Sequence, residues 1–101
     1  MSLVHIKESE FEDYKKKELA LVDFYADWCG PCKMLGPVLE SISDKYEIAK
    51  INVDTESSLA RSLGIMSIPT LHLYSKGSLL ASKMGYMSEE ELVDWINKFK
   101  R

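Results

Sequence analysis

The segment Leu19-Ala20-Leu21-Val22-Asp23-Phe24-Tyr25 is apolar everywhere but Asp23. A run that continuous does not suit a sheet with one wet face; it predicts a central strand covered by helices on both sides. Before it, Leu3 to Ile6 reads as a brief strand, and Ser9 with Glu12 three positions on reads as a capping box. That box opens a short helix to about Tyr14, with Phe11 and Tyr14 turned inward. Beyond the central strand, Met34, Leu35, Val38, Leu39, Ile42 and Tyr46 recur at helical spacing. They predict a long amphipathic helix carried to about Lys45, with a kink expected at Pro37.

Ile48 to Val53 reads as a further strand, and Leu59, Ala60 and Leu63 as a short helix stopped by Gly64. Leu71 to Tyr74 and Leu79 to Met84, separated by Ser75-Lys76-Gly77-Ser78, predict a hairpin with Gly77 supplying the turn. Ser88 with Glu91 is a second capping box, opening a terminal helix with Leu92, Val93, Trp95, Ile96 and Phe99 inward. Lys98, Lys100 and Arg101 suit the negative end of that helix. The order strand-helix-strand-helix-strand-helix-strand-strand-helix places the chain in the α/β class, as one mixed sheet of about five strands flanked by about four helices.

A chain of 101 residues has room for one core and one domain, residues 1–101. Thirteen basic against sixteen acidic side chains leave a net charge of -3, which supplies neither the field nucleic acid needs nor a basic membrane-facing patch. The longest apolar runs fall far short of the roughly 20 residues that span a bilayer. The start, Met1-Ser2-Leu3-Val4-His5-Ile6-Lys7, lacks the charged opening and long apolar stretch of a secretory leader, so a cytoplasmic protein is expected.

Against that background the two cysteines stand out. Three positions apart, Cys29 and Cys32 close too short a loop to restrict the unfolded chain, so reactivity explains them better than stapling. The strand ending near Tyr25 feeds through Cys29 into a helix, which puts the pair at the carboxyl edge of the sheet, where open α/β folds bind substrates. At a helix start the free N–H groups and the dipole stabilise an anion, so Cys29 is expected to ionise and attack. Cys32, one turn in, is expected to be more shielded and to resolve the resulting mixed disulfide. Pro31 has a preset φ and no N–H to lose, and Gly30 leaves room for a partner's backbone. Zinc sites share this spacing but take four ligands, and the only histidines, His5 and His72, fall on different strands, so no metal is expected. Two buried, idle cysteines are the bland alternative.

The stretch Leu21-Val22-Asp23-Phe24-Tyr25-Ala26-Asp27-Trp28-Cys29-Gly30-Pro31-Cys32-Lys33-Met34 closely resembles the motif of the thioredoxin family. The likeness continues through Pro37, Lys50, Asp54, Gly64-Ile65, Ile68-Pro69-Thr70, Lys76-Gly77 and Gly85. It implies the thioredoxin fold and reduction of disulfides in other proteins through a redox-active Cys29-Cys32 disulfide. It also implies re-reduction by a thioredoxin reductase that carries FAD and draws on NADPH, so that no cofactor is bound by this chain. By the same resemblance Asp23 relays a proton for Cys32, consistent with the raised pKa of a buried acid; a carboxylate at a solvent gap is the alternative. Lys50 either biases that titration or is simply solvated.

The Ile68-Pro69 bond is expected to be cis, as in the family's loop facing the cysteines, presenting the backbone of Met66 to Ile68 to an extended substrate segment. Trp28, Gly64, Ile65, Ile68 and Gly85 would form a shallow apolar rim, although the aliphatic members fit an ordinary core equally well. Trp95 and the five methionines read as packing, with Met34 in the helix core. Met66 stands where many family members carry a basic or small residue. The protein is expected to act as a monomer; a noncatalytic binding subunit that uses the same surface is the rival reading.

Overall fold

Strand alternation sorts the central strand into two faces, and both are buried. In the computed structural model, which describes residues 2–100, the chain forms β1 (Leu3–His5), α1 (Glu8–Tyr14), β2 (Ala20–Tyr25), α2 (Gly30–Ile42), β3 (Glu47–Asn52), α3 (Ser57–Ser62), β4 (Thr70–Ser75), β5 (Ser78–Met84) and α4 (Glu89–Phe99). The sheet order is β1-β3-β2-β4-β5. β1, β3 and β2 run parallel, with Asp23 opposite Lys50 and His5 also opposite Lys50. β4 joins β2 antiparallel, setting Leu71 opposite Asp23, and β5 pairs antiparallel with β4. This is the mixed five-stranded sheet that the pattern predicts.

On one face Leu21, Ile48, Leu71 and Leu73 pack with Leu35, Leu39 and Ile42 of α2 and with Leu92, Trp95 and Ile96 of α4. On the other, Ala20, Val22, Phe24, Ala49 and Ile51 pack with Phe11 and Tyr14 of α1 and with Leu59 of α3. Period-two alternation therefore assigns Asp23, in step with Leu21, to the face that α2 covers.

Two helix boundaries depart from the sequence reading. α1 is capped by Lys7, whose N–H donates to Glu10 Oε1 at 3.0 Å, and Ser9 lies inside the first turn. The Glu8 N–H is taken by Glu56 Oε1 at 2.8 Å, so a residue at the start of α3 fixes this helix end, where local sequence suggested a serine. α2 continues through Pro37 and stops at Ile42, short of Lys45. Ser43 turns its hydroxyl back to the Glu40 carbonyl at 2.8 Å, a local bond that competes with the helical ladder. Tyr46 still packs against the α2-α4 core from the connection that follows.

The hairpin turn uses Lys76 (φ 52) and Gly77 (φ 92), both left-handed, the combination that matches the twist of the flanking strands. Lys76 accepts this strain because its N–H donates to the Lys17 carbonyl at 2.8 Å and that of Gly77 to the Lys15 carbonyl at 2.8 Å. At α4 the expected capping box is present: the Glu91 N–H donates to Ser88 Oγ (3.2 Å) and the Ser88 N–H to Glu91 Oε1 (2.9 Å). Ser88→Ala is expected to cost about 1 kcal/mol, read as a lowered urea midpoint, with Ser88→Asp retaining most of it. Lys98 lies in the last turn as expected. Arg101, assigned to the same helix end, lies outside the described residues, as does Met1.

Candidate functional site

Where β2 ends, the chain passes through buried Ala26 and turns into α2 with Cys29 as the N-cap residue in extended conformation. Gly30 and Pro31 fill the first two helical positions and Cys32 the third. An N-cap side chain ordinarily uses an oxygen to accept the N–H two or three residues on. Here sulfur takes that place: the Cys32 N–H donates to Cys29 Sγ at 3.2 Å. Pro31 contributes no donor, so the amide directed at the sulfur is that of its disulfide partner. Cys29 and Cys32 are joined by a disulfide, with their Cα atoms 5.2 Å apart, within the usual range for such a bond.

Cys29 is only 5% exposed and Cys32 2%, so the leading sulfur is nearly as covered as its partner. The order of accessibility is the expected one. The reason for the low value is tertiary: Tyr25, Val53 and Ile68 pack around the cluster of Ala26, Cys29 and Cys32, and Cys29 Sγ lies 3.8 Å from the Ile68 carbonyl oxygen.

Beneath α2, Asp23 is 0% exposed, and neither carboxylate oxygen has a hydrogen-bond partner. This excludes the reading of a carboxylate at a solvent gap. Its pKa is pushed up to about 7: burial penalises the charged form, and the nearby Lys50 charge draws it only part of the way back. Lys50 Nζ stands 3.8 Å from Asp23 Oδ2 with its side chain largely covered, so Lys50 is not simply solvated. Its ammonium lies 4.5 Å from the centroid of the Tyr25 ring. Gly36 of α2 lies above it: a Cβ there would meet Lys50 Nζ at 3.8 Å, an ordinary contact.

The Ile68-Pro69 peptide is cis, as expected. The Gly85 N–H donates to the Pro69 carbonyl at 2.8 Å, with Gly85 at φ 91, so the two segments that the sequence reading assigned to the rim are tied together. Trp28 is 70% exposed, and its Nε1–H donates to Asp54 Oδ2 at 2.8 Å, a partner that the sequence reading gave no role. Of the aliphatic rim residues, Ile68 packs against the cysteines, whereas Ile65 packs into the α1-α3 core with Leu63 and Val53. Gly64 ends the α3 segment at φ 71.

The methionines divide: packing holds for Met87 and fails for three others. Met87 is buried, but Met34, Met66 and Met84 are exposed, Met66 at 93%, and the Ser67 hydroxyl donates to Met84 Sδ at 3.0 Å. Met34 fits the helical apolar period, yet α2 packs through Leu35, Leu39 and Ile42 and leaves it outside. A clue for Met66 was its place in a loop between Gly64 and Pro69 with no regular period around it. No group of three or more His, Cys, Asp or Glu side chains among the described residues is arranged to hold a metal ion. A cavity of about 730 Å³ lies far from this chemistry, beside Glu18 and Leu19 ahead of β2 and the end of α4, and none of the site residues lines it.

The thioredoxin family model matches residues 2–98. The chain belongs to the thioredoxin family. It is 39% identical over 102 residues to a thioredoxin of Staphylococcus saprophyticus, covering 97% of this chain and 98% of that protein. It is 44% identical over 82 residues to a thioredoxin of Rickettsia felis, 77% of this chain and 78% of that one. Among solved structures, a point mutant of thioredoxin from Halobacterium salinarum superposes with a TM-score of 0.92 at 35% identity, covering 99% of this chain and 92% of that one. A thioredoxin from Malassezia sympodialis gives 0.86 at 31% identity, covering 100% and 92%. Membership together with the disulfide-linked pair at the helix start makes the chain a thiol-disulfide oxidoreductase of the protein-disulfide-reducing family. No helix among the described residues is long and apolar enough to cross a membrane.

Proposed function

We propose that this chain, acting as a single domain and a monomer in the cytoplasm, reduces disulfides in other proteins with Cys29 as nucleophile and Cys32 as resolving thiol. The Cys29 thiolate attacks one sulfur of a substrate disulfide. A bond forms between Cys29 Sγ and that sulfur, the substrate S–S bond breaks, and the departing thiolate takes up a proton. Cys32, giving up its own proton, then attacks Cys29 Sγ, closing the Cys29-Cys32 disulfide and releasing the second substrate thiol. Two electrons pass to the substrate. Asp23 accepts the proton of Cys32, and Lys50 biases the titration of Asp23. Substrate docks over Trp28, Gly30, Pro31, Gly64, Ile65, Ile68, Pro69 and Gly85. A thioredoxin reductase using FAD and NADPH returns the pair to the dithiol.

The observation that carries this reading is the Cys32 N–H on Cys29 Sγ at the start of α2. An amide and a helix dipole directed at that sulfur favour its anionic form, and the thiolate is the species that attacks disulfides. Ile68 supports the docking surface, because its carbonyl oxygen stands 3.8 Å from Cys29 Sγ and can lead an incoming strand's backbone to the sulfur. The exposed Trp28 and Met66 suit the same role, as adaptable apolar contacts for varied protein partners.

The test is alkylation of the reduced protein by iodoacetamide at pH 7, followed by peptide mapping. Cys29 should react about tenfold faster than a cysteine in an unstructured peptide, and Cys32 more slowly than Cys29. Equal reactivity of Cys29 and the peptide thiol would remove the assignment.

A further inference from the structure

Asp23, Lys50 and His5 form a row across β2, β3 and β1, each opposite the next in register and all on the face that α2 covers. Tyr25, two residues beyond Asp23 on the same face, closes this row at the sheet's carboxyl end. Its ring lies under the Lys50 ammonium at 4.5 Å, and its hydroxyl shares a hydrogen bond with His5 Nδ1 at 3.2 Å. The two rings meet edge to face, with centroids 5.9 Å apart and planes inclined at 77°. An ammonium on a flexible stem with three rotatable donors does not hold one position unaided. Without the ring, the Lys50 side chain could turn toward the open end of the sheet and away from a carboxylate to which it makes no hydrogen bond.

We propose that Tyr25 is a positioning residue whose ring face holds the Lys50 ammonium beside Asp23, with His5 fixing the ring from the edge strand. The inference deepens the proposed function and rests on its assignment of Asp23 to proton transfer. Its consequence follows from charge alone. A cation held near Asp23 favours the carboxylate, so loosening that cation favours the acid form and moves the titration of Asp23 upward. The other titratable groups near Tyr25 and Lys50 are Asp27 in the turn after β2 and, on α2, the cysteine pair; β4 presents apolar Leu71, and α2 presents Gly36 over the amine. Of these only Lys50 supplies a positive charge at Asp23.

The experiment follows the Asp23 carboxyl carbon by NMR across pH in oxidised protein labelled at aspartate. A cation–π contact in a partly covered site corresponds to a midpoint shift of about half a pH unit. Tyr25→Leu should raise the midpoint by that amount, His5→Ala should raise it by less, and Tyr25→Phe, which keeps the ring but loses the hydroxyl bonded to His5, should raise it by no more than His5→Ala. On a Lys50→Met background, Tyr25→Leu should move nothing further. An unmoved midpoint in Tyr25→Leu, or the same movement when Lys50 is absent, overturns the proposal. Should Tyr25→Leu fail to fold, His5→Ala on the exposed strand decides, and an unmoved midpoint there overturns it. Failure of the parent reading looks different: the pH profile of wild-type turnover would not follow the Asp23 titration, whatever Tyr25 does to it.

Discussion

Replacing Cys32 by serine is expected to leave the protein covalently attached to its substrates. Cys29 in that variant still attacks, but the thiol that would release the product is gone, so the mixed disulfide accumulates and steady-state turnover falls on the order of 10³-fold or more. Cys29→Ser should lose turnover to a similar degree and trap nothing, because the remaining thiol is the more shielded of the two and sits inside the first turn of α2. Non-reducing electrophoresis with mass spectrometry of the captured species separates the two variants. Trapping by Cys29→Ser and not by Cys32→Ser would reverse the roles. Partner binding that survives with both cysteines replaced would show that the surface also holds partners without chemistry.

The second large effect belongs to Asp23, and it couples stability to pH. With a folded pKa of about 7 against the 3.8 ordinary for an aspartate, the folded protein holds a proton over that interval that the unfolded chain has already released. Stability attributable to this group is therefore greatest below the lower value and is lost as pH rises toward the upper one. The difference corresponds to about 4 kcal/mol at most, reached above pH 7. Asp23→Ala removes that cost, but leaves a small cavity and a Lys50 without its carboxylate. A net gain of about 2 kcal/mol at pH 8, shrinking toward pH 4, is expected from urea denaturation across pH. Turnover of the same variant should fall by about tenfold or more at neutral pH, since no group remains to accept the Cys32 proton. A stability difference that is flat between pH 4 and 8 would refute the titration. A rate that does not depend on position 23 would refute the proton transfer.

The opposite signs of these effects have a common source. Burial under α2 raises the pKa of the acid toward neutral, as the proposed proton transfer requires, and the same burial makes it a liability to the fold. A core position filled by a carboxylate with no hydrogen-bond partner breaks a rule that the surrounding positions obey, and such breaks concentrate where chemistry is done.

Much of this was legible in the residues. The continuous apolar run of β2, the helical period of α2, the hairpin at Lys76-Gly77 and the box at Ser88-Glu91 each follow from local physics, and each is present. The strand-to-helix junction likewise placed the cysteine pair at the sheet's carboxyl edge, because the helix that carries it starts where β2 ends. What local pattern could not decide was which of several compatible faces meets a partner. Met34 keeps the apolar period of α2 yet lies outside it, since α2 packs through only one stripe. α1 takes its cap from Lys7 and its first amide's partner from Glu56, 48 residues away from Glu8, a contact that exists only once α3 has docked. The pairing of Asp23 with Lys50, the ring of Tyr25 beneath that amine and the near burial of Cys29 are matters of strand register and of loops closing over a site. The forces that settle them act between segments far apart in the chain, so they come into being only with the assembled sheet.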